Sequence, residues 1–479
     1  MGITRRELLR GGAAAGALAI TRPSWALATI EGDLGAPRRS RLTEGTFLAH
    51  ADLHNHSHLS DGAGDPTLLF DSIRSAAYDV AAVTDHSTLS FGAAGRVTEE
   101  ICAVVDGEPT HGERQDCRSL AAIDEARWVR AKELADAADD PGRFVAMRGF
   151  EWSSPFLGHI NVWLSERWID PLHTAGIDSS GLGEHFREVP GAGDPVGAAL
   201  DTVGRANPAH TGMIPFYEWL TADPSTPVLG GGADGLASFN HPGRETGRFS
   251  YFRYHEAVAS HFVAVEMLNR REDHLFKSFA SGQPSPLVEC LNAGWRVGIS
   301  GVSDEHGTDW GHPEGKGRTG LWVSELTRDG VAEALQARRL FATFLDGLRV
   351  DATALSRPAG PPAWAGEPGG GKTRMGGVLA HDRGPVIFEI DVDHPALRGE
   401  TIEVQVLRPG EEFPEVAHVE TVRVPAEDEA VISVTVDLDA ADGDWVVLRL
   451  ADPARPNEHH GPDGHAGNAA IIAYASPFW

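Results

Sequence analysis

The chain predicts an α/β domain followed by a smaller all-β domain, and three observations carry that reading. From about Leu48 to residue 345, β-prone apolar runs alternate with helix-like segments, as they do where strands are covered by helices. Short motifs rich in His, Asp and Glu sit just past those apolar runs: D-L-H-N-H at 52–56, S-D-G at 60–62, T-D-H at 84–86, G-F-E at 149–151, G-H at 158–159, N-H-P at 240–242 and S-D-E-H at 303–306. A barrel gathers the ends of its parallel strands into one bowl, where side chains far apart in sequence meet. Composition then shifts after about Asp346, where a Pro- and Gly-rich connection (356–377) leads into short alternating runs that read as a β-sandwich.

Taken in order, the first 28 residues read as an export signal. Thr4-Arg5-Arg6-Glu7-Leu8-Leu9-Arg10 is a twin-arginine signature, a weakly apolar stretch spans 11–20, and Ala26-Leu27-Ala28 offers a small-residue cleavage site. The apolar stretch is about half the ~20 residues that span a bilayer, which disfavours a membrane anchor. The expectation is a periplasmic or extracellular protein, exported by the twin-arginine machinery, with no membrane span after cleavage. That route carries folded proteins, so metals can be loaded beforehand.

Residues 29–47 read as a linker. Seven candidate strands follow at 48–53, 80–84, 144–151, 159–164, 236–240, 262–268 and 296–303. Candidate helices lie at 66–77, 123–138, 195–206, 286–293 and 330–339, the second with Ala126, Val129, Leu134 and Ala137 on one face at helical period. Two long connections, 87–122 and 165–235, are candidate pocket walls. The C-terminal strands are expected at 386–392, 401–407, 416–424, 430–436, 445–450 and 469–475. The domain division is therefore 1–28, 29–47, 48–345 and 346–479.

Composition excludes several classes. Apolar residues make up 41% and charged residues 23% of the 479, so the chain is neither disordered nor an integral membrane protein. A formal charge of −28 repels a phosphate backbone and argues against long nucleic acid as a partner. The three cysteines, Cys102, Cys117 and Cys290, show no C-x-x-C spacing; a disulfide between Cys102 and Cys117 can form after export, and the odd number leaves at least one unpaired or buried.

The chemistry lies in the motifs. Imidazole and carboxylate together suit zinc, manganese or iron, and a carboxylate can bridge two ions. His54 and His56, two apart at a strand end, point to the same side; Asp304 and His306 repeat that spacing. These residues resemble the Polymerase and Histidinol Phosphatase (PHP) superfamily of metal-dependent phosphoesterases, over about residues 48–345. Its D-L-H-x-H-x-x-x-S-D-G motif is matched from Asp52 to Gly62, and the T-D-H, G-x-E, H-P and S-D-x-H elements follow in order.

The resemblance implies a distorted seven-stranded (β/α) barrel with two or three divalent metal ions (zinc, manganese or iron) at the strand C-termini. It would place His54, His56, Glu151 and Asp304 on one ion. Glu151 would bridge to a second with His159 and His241, and Asp61, His86 and His306 would hold a third. The catalytic candidates are Asp304, Glu151 and His58, with Glu266 as a further proton carrier. Arg148, Arg244 and Arg318 lie near the motifs and are candidates to clamp a phosphate. Asp52 and Asp85 flank ligand histidines and either orient a ring or hydrogen-bond locally at a strand end.

Other signals are set aside. Gly366–Thr373 spells a phosphate-binding loop, G-E-P-G-G-G-K-T, but Pro-rich sequence precedes it and Gly376-Gly377 follow, where that loop needs a strand and a helix. His459, His460 and His465 sit in a Gly/Pro/Asn-rich stretch that reads as an exposed loop. No G-x-S-x-G elbow is present.

The expected function is hydrolysis of a small phosphate ester by attack of a metal-bridging hydroxide. The alternative is a carboxyl-ester or aryl carbamate hydrolase using the same site, because the layout of signal, barrel and β-domain resembles the carbaryl hydrolase-like proteins. Trp168, Phe216, Tyr217 and Trp219 would then line an apolar pocket. A non-catalytic metal- or glycan-binding protein is the third reading.

Overall fold

The computed structural model describes residues 38–87, 123–154, 157–169, 171, 213–227, 230–244, 248–311, 315–356, 371–426 and 431–479. The export signal, the Cys102–Cys117 pair, the helix at 195–206 and most of both long connections lie outside the described residues.

Among the described residues nine strands longer than two residues build the N-terminal part: β1 (Phe47–Asp52), β2 (Val80–Val83), β3 (Val145–Ser154), β4 (Gly158–Trp163), β5 (Leu236–Phe239), β6 (Phe262–Asn269), β7 (Gly298–Val302), β8 (Arg318–Val323) and β9 (Leu340–Thr343). Pairing is parallel along β1-β2-β3 and along β5-β6-β7. Between these two runs β4 is antiparallel to both β3 and β5. On the other side of β1, β8 and then β9 continue the sheet in antiparallel fashion.

The α/β class holds, but a closed ladder of seven parallel strands does not form among the described residues. Instead β7 is tied back to β1 by side chains and one isolated contact. The Asp52 carboxylate accepts the Ser303 N–H at 3.1 Å, and Asn55 and Glu305 form a single parallel bridge. Glycine lets β7 lie close to β8 as well: a Cβ on Gly301 would lie 2.6 Å from the Arg318 carbonyl oxygen.

Helices cover the outside. In α1 (Pro66–Ser75), Asp65 caps the Thr67 N–H at 2.9 Å, Pro66 opens the first turn, and Leu69, Phe70 and Ile73 are buried. In α2 (Glu125–Ala138), Asp124 caps Arg127, and the buried face is Trp128, Ala131 and Ala135. This corrects the expected face: Val129 is exposed, because burying Trp128 against Phe150, ring centroids 5.7 Å apart, sets the rotation of the helix. The short α3 (Ile214–Thr221) falls where sequence alone predicted only a connection, while α4 (Pro286–Asn292) and α5 (Arg328–Gln336) fall close to expectation.

Eight C-terminal strands follow among the described residues: β10 (Arg349–Ser356), β11 (Lys372–Arg374), β12 (Arg383–Asp393), β13 (Thr401–Arg408), β14 (Glu415–Arg423), β15 (Ile432–Asp439), β16 (Val447–Pro456) and β17 (Ala469–Ala475). One antiparallel sheet runs β11-β10-β12-β15. The other, β14-β13-β16-β17, is continuous with the N-terminal sheet, because β17 pairs with β9 in the register Ala342↔Tyr474. The two sheets bury Val350, Phe388 and Val434 on one side against Val404, Leu448 and Ile472 on the other. Lys372 and Thr373, the end of the apparent phosphate loop, lie in β11. Among the described residues no helix is long and apolar enough to cross a membrane.

Candidate metal centre

All nine expected ligands converge at one rim of the large sheet. The chain just past β1 carries His54 and His56, whose Nε2 atoms lie 3.0 Å apart. His86 follows β2 and forms a parallel bridge with Glu151 of β3. Because β4 runs antiparallel, its beginning lies at the same rim as the end of β3: Ser153 pairs with His159, and Gly158 supplies the φ of +85° needed to reverse the chain. His241 follows β5, and Asp304 and His306 follow β7. The short spacing between Glu151 and His159 is therefore a hairpin across the site.

Glu151 is the hub. Its Oε1 lies 3.2 Å from His54 Nε2, 3.2 Å from His159 Nδ1 and 3.3 Å from His241 Nε2; its Oε2 lies 2.7 Å from His86 Nδ1. Asn240 donates to Oε1 at 2.8 Å. Asp304 Oδ1 faces His56 Nε2 at 3.5 Å and His306 Nδ1 at 3.3 Å. Asp61 Oδ1 lies 3.5 Å from both His86 Nε2 and His306 Nε2. Three groups of side chains can each bring donor atoms to a common point: His56, Asp61, His86 and His306; His54, His56 and Glu151; and His86, Glu151 and His159.

The donor set fits divalent cations. Two nitrogens about 2.0–2.1 Å from one ion and at a right angle about it stand about 3 Å apart, the spacing seen for His54 and His56. His56 Nδ1, Asp61 Oδ1 and His159 Nδ1 are buried with no hydrogen-bond partner among the described residues, a costly arrangement that a cation would relieve. The backbone is strained here as well. His241 and Asp304 sit at φ +28° and +48°, where a non-glycine residue costs on the order of 1–3 kcal/mol.

Electrostatics follow from the packing. Burial alone would raise Glu151, but His159, His54 and His86 hold its carboxyl well below the usual carboxylate range. Asp304 is likewise held low against its burial by Arg270, His54 and His306. Burial, with His86 beside it, pushes His56 down to about 3 and so keeps its ring a neutral donor.

A second layer fixes the rings. Glu266 is fully buried; its Oε1 accepts His54 Nδ1–H at 2.9 Å, and its Oε2 accepts from His241 N and Asn269 Nδ2, each at 2.9 Å. This holds His54 in the tautomer that leaves Nε2 as the ligating atom. Asp85 instead pins a turn, accepting from Ser57 N, Ser57 Oγ and Ser60 Oγ at 2.8, 2.8 and 2.6 Å. Burial raises Asp52 and Asp85 each to about 6. Among the described residues neither accepts from a ligand histidine: Asp52 bonds across to Ser303 N, and Asp85 to the turn at Ser57 and Ser60.

The predicted arginines divide. Arg244 reaches the cluster, donating from Nη1 to Asp304 Oδ2 at 3.0 Å. Arg148 does not: its position on β3 has opposite parity to Glu151, and its guanidinium lies over the Trp128 ring at 3.7 Å. Arg318 is buried against Asp346 and over the Tyr78 ring. His58 is exposed, with its ring turned to the Ala63 carbonyl. Sequence reasoning missed Arg270 and Asn269, and gave Asn240 of the N-H-P motif no role of its own. Their signal was available, since each falls at or just beyond the end of β5 or β6, as the ligand motifs do.

No protein-family model matches the chain, and no curated protein matches it by sequence. Among solved structures, the chain is similar to a two-domain protein from Bacteroides vulgatus containing a predicted PHP-like metal-dependent phosphoesterase. That pair is 14% identical, covers 92% of this chain and 100% of the other, and has a TM-score of 0.36. It is also similar to an amidohydrolase from Chromobacterium violaceum with bound sulfate and no metal, at 21% identity, 60% and 97% coverage and a TM-score of 0.29. The functional reading of this chain rests on its own side chains.

Proposed function

We infer that the protein is an exported, metal-dependent hydrolase of the PHP type that cleaves a small phosphate ester. The observation that carries this is the convergence of nine His, Asp and Glu side chains, Glu151 at their centre, with Asp304 turned between the cluster and two arginines. Two or three divalent ions, zinc, manganese or iron, would supply Lewis acidity there and a water acidified to near neutral pH. His54, His56, Asp61, His86, Glu151, His159, His241, Asp304 and His306 would hold them, and Glu266 would keep His54 oriented.

Charge favours an anionic ester. Four carboxylates (Asp61, Glu151, Glu266 and Asp304) outnumber Arg244 and Arg270, and two divalent ions reverse the sign of the pocket. The carbamate reading loses its aromatic wall, because Phe216, Tyr217 and Trp219 are buried in the core and Trp168 packs against it. Protein loaded with metal in the cytoplasm is to be analysed for elements and assayed on p-nitrophenyl phosphates and naphthyl carbamates. The expected result is at least two equivalents of divalent metal with turnover of the phosphate. Turnover of the carbamate alone would replace the substrate class, and a metal-loaded protein inert on both would overturn the hydrolase reading.

A further inference from the structure

Two guanidinium groups meet one oxygen, Asp304 Oδ2: Arg244 Nη1 at 3.0 Å and Arg270 Nε at 3.1 Å. Their surroundings differ. Arg244 also donates to Asn269 Oδ1 at 2.6 Å and to Glu272 Oε2 from Nε and Nη2 at 3.4 and 3.3 Å. It is enclosed by acceptors, and its side chain is 23% exposed. An arginine held in this way fixes Asp304 and is not available to a ligand without losing those bonds.

Arg270 is placed otherwise. It follows β6 in a left-handed conformation (φ +52°). Its N–H is fixed on the Val302 carbonyl at 3.0 Å, and its own carbonyl accepts from Gly317 N at 2.7 Å. The backbone is thus anchored, while the side chain is 44% exposed above an Asp304 that is 2% exposed. Its Nη2 lies 3.2 Å from His306 Nδ1. That nitrogen also faces the Asp304 carbonyl oxygen at 3.0 Å. The Arg270 guanidinium is thus held at one edge by Asp304 and lies beside His306, while much of its side chain stays open to solvent.

We propose that Arg270 supplies the anion-binding group of this site, a guanidinium that takes the non-reacting oxygens of a phosphate monoester at the mouth of the metal cluster, while Arg244 positions Asp304. The proposal rests on the metal-hydrolase reading for its substrate and deepens it. Asp304 Oδ1 faces the histidines and Oδ2 the arginines, so an anion resting against Arg270 would also lie next to the metal cluster. Planar, forked donors suit phosphate oxygens better than a point charge does.

The test uses the metal-loaded full chain and inorganic phosphate as the probe, with binding read by calorimetry and metal content read separately. Arg270→Met is expected to weaken phosphate binding about ten- to a hundredfold, in line with loss of hydrogen bonds to a charged group, and to raise KM for p-nitrophenyl phosphate with metal content unchanged. Arg270→Lys is expected to recover part of the affinity. Arg244→Met is expected to lose metal. Phosphate affinity unchanged in Arg270→Met, loss of metal in that variant, or no phosphate binding by the wild-type protein would each overturn the assignment. Because binding is read without turnover, a wild-type protein that binds phosphate through Arg270 but hydrolyses no ester would refute the hydrolase reading and leave the anion site standing.

Discussion

Two buried charged clusters in this molecule are built from similar groups in opposite ways. Where the C-terminal strands meet the N-terminal sheet, Arg449 donates to Gln405 Oε1 at 2.8 Å, to the Ala469 carbonyl at 2.7 Å, to Tyr474 Oη at 3.1 Å and to Asp273 Oδ2 at 3.4 Å. Tyr474 and Asn457 complete Asp273, donating at 3.0 and 2.8 Å. No side-chain atom of these five residues is left buried without a partner among the described residues. At the metal centre, by contrast, imidazole nitrogens face one another at 3.0 Å, and His56 Nδ1, Asp61 Oδ1 and His159 Nδ1 lack hydrogen-bond partners among the described residues. Buried polar groups are ordinarily satisfied. A cluster that satisfies itself is a brace; one that aims its donor atoms at shared space receives an ion.

The sharpest way to break this contrast is to remove one member of each cluster. His54→Ala is expected to lower metal content and abolish hydrolysis while the far-UV spectrum stays folded. A chelator should then lower the melting temperature of the wild-type protein and leave that of the variant nearly unmoved, since only an ion that binds the native state stabilises it. Full activity in His54→Ala would end the site assignment. Arg449→Met should do the reverse. It strands a buried carboxylate, which costs on the order of 3–5 kcal/mol, and denaturant unfolding should show that loss with metal content per folded protein unchanged.

The sequence exposed the site better than the fold around it. Ligand motifs were legible because each sits at a strand end, where neither core packing nor solubility calls for His-x-His or Asp-x-His. The arrangement of the strands was not, because the direction of β4 cannot be read from its apolar pattern, and a strand buried on both faces looks alike whichever way it runs. The face of α2 was misjudged by counting apolar positions equally, when Trp128 outweighs its neighbours. Arg148 and Arg318 lay near the motifs in sequence but on the wrong face, a distinction that parity along β3 settles for Arg148. Arg270 escaped notice because one arginine carries no motif, although it stands just past the end of β6, the kind of place the ligand motifs occupy.

A subtler comparison sets Glu266 against Asp273, two buried carboxylates that each hold several donors. Glu266→Gln keeps the shape but cannot accept on both sides as the carboxylate does. As the group that orients His54, it should lower metal affinity about ten- to a hundredfold, with activity recovered in excess metal. If metal affinity is unchanged and only stability falls, Glu266 is a brace of the same kind as Asp273.

The smallest effect concerns a buried histidine outside both clusters. His50 lies on β1 with its ring edge-on to Phe341, and neither ring nitrogen has a hydrogen-bond partner among the described residues. Burial, reinforced by Arg38, Arg318 and His394, holds it well below its ordinary 6.5, so the folded protein keeps it neutral. The unfolded chain binds a proton there more readily. The stability His50 contributes is therefore fully present above pH 6.5 and is lost as pH falls below it, with a slope of at most about 1.4 kcal/mol per pH unit. His50→Phe should flatten the fall in denaturant midpoint between pH 6.5 and 5 and leave it unchanged at pH 8. Measured on chelated protein, this slope is free of proton competition at the metal ligands, and an unaltered pH profile in the variant would show that the buried ring does not contribute to acid sensitivity.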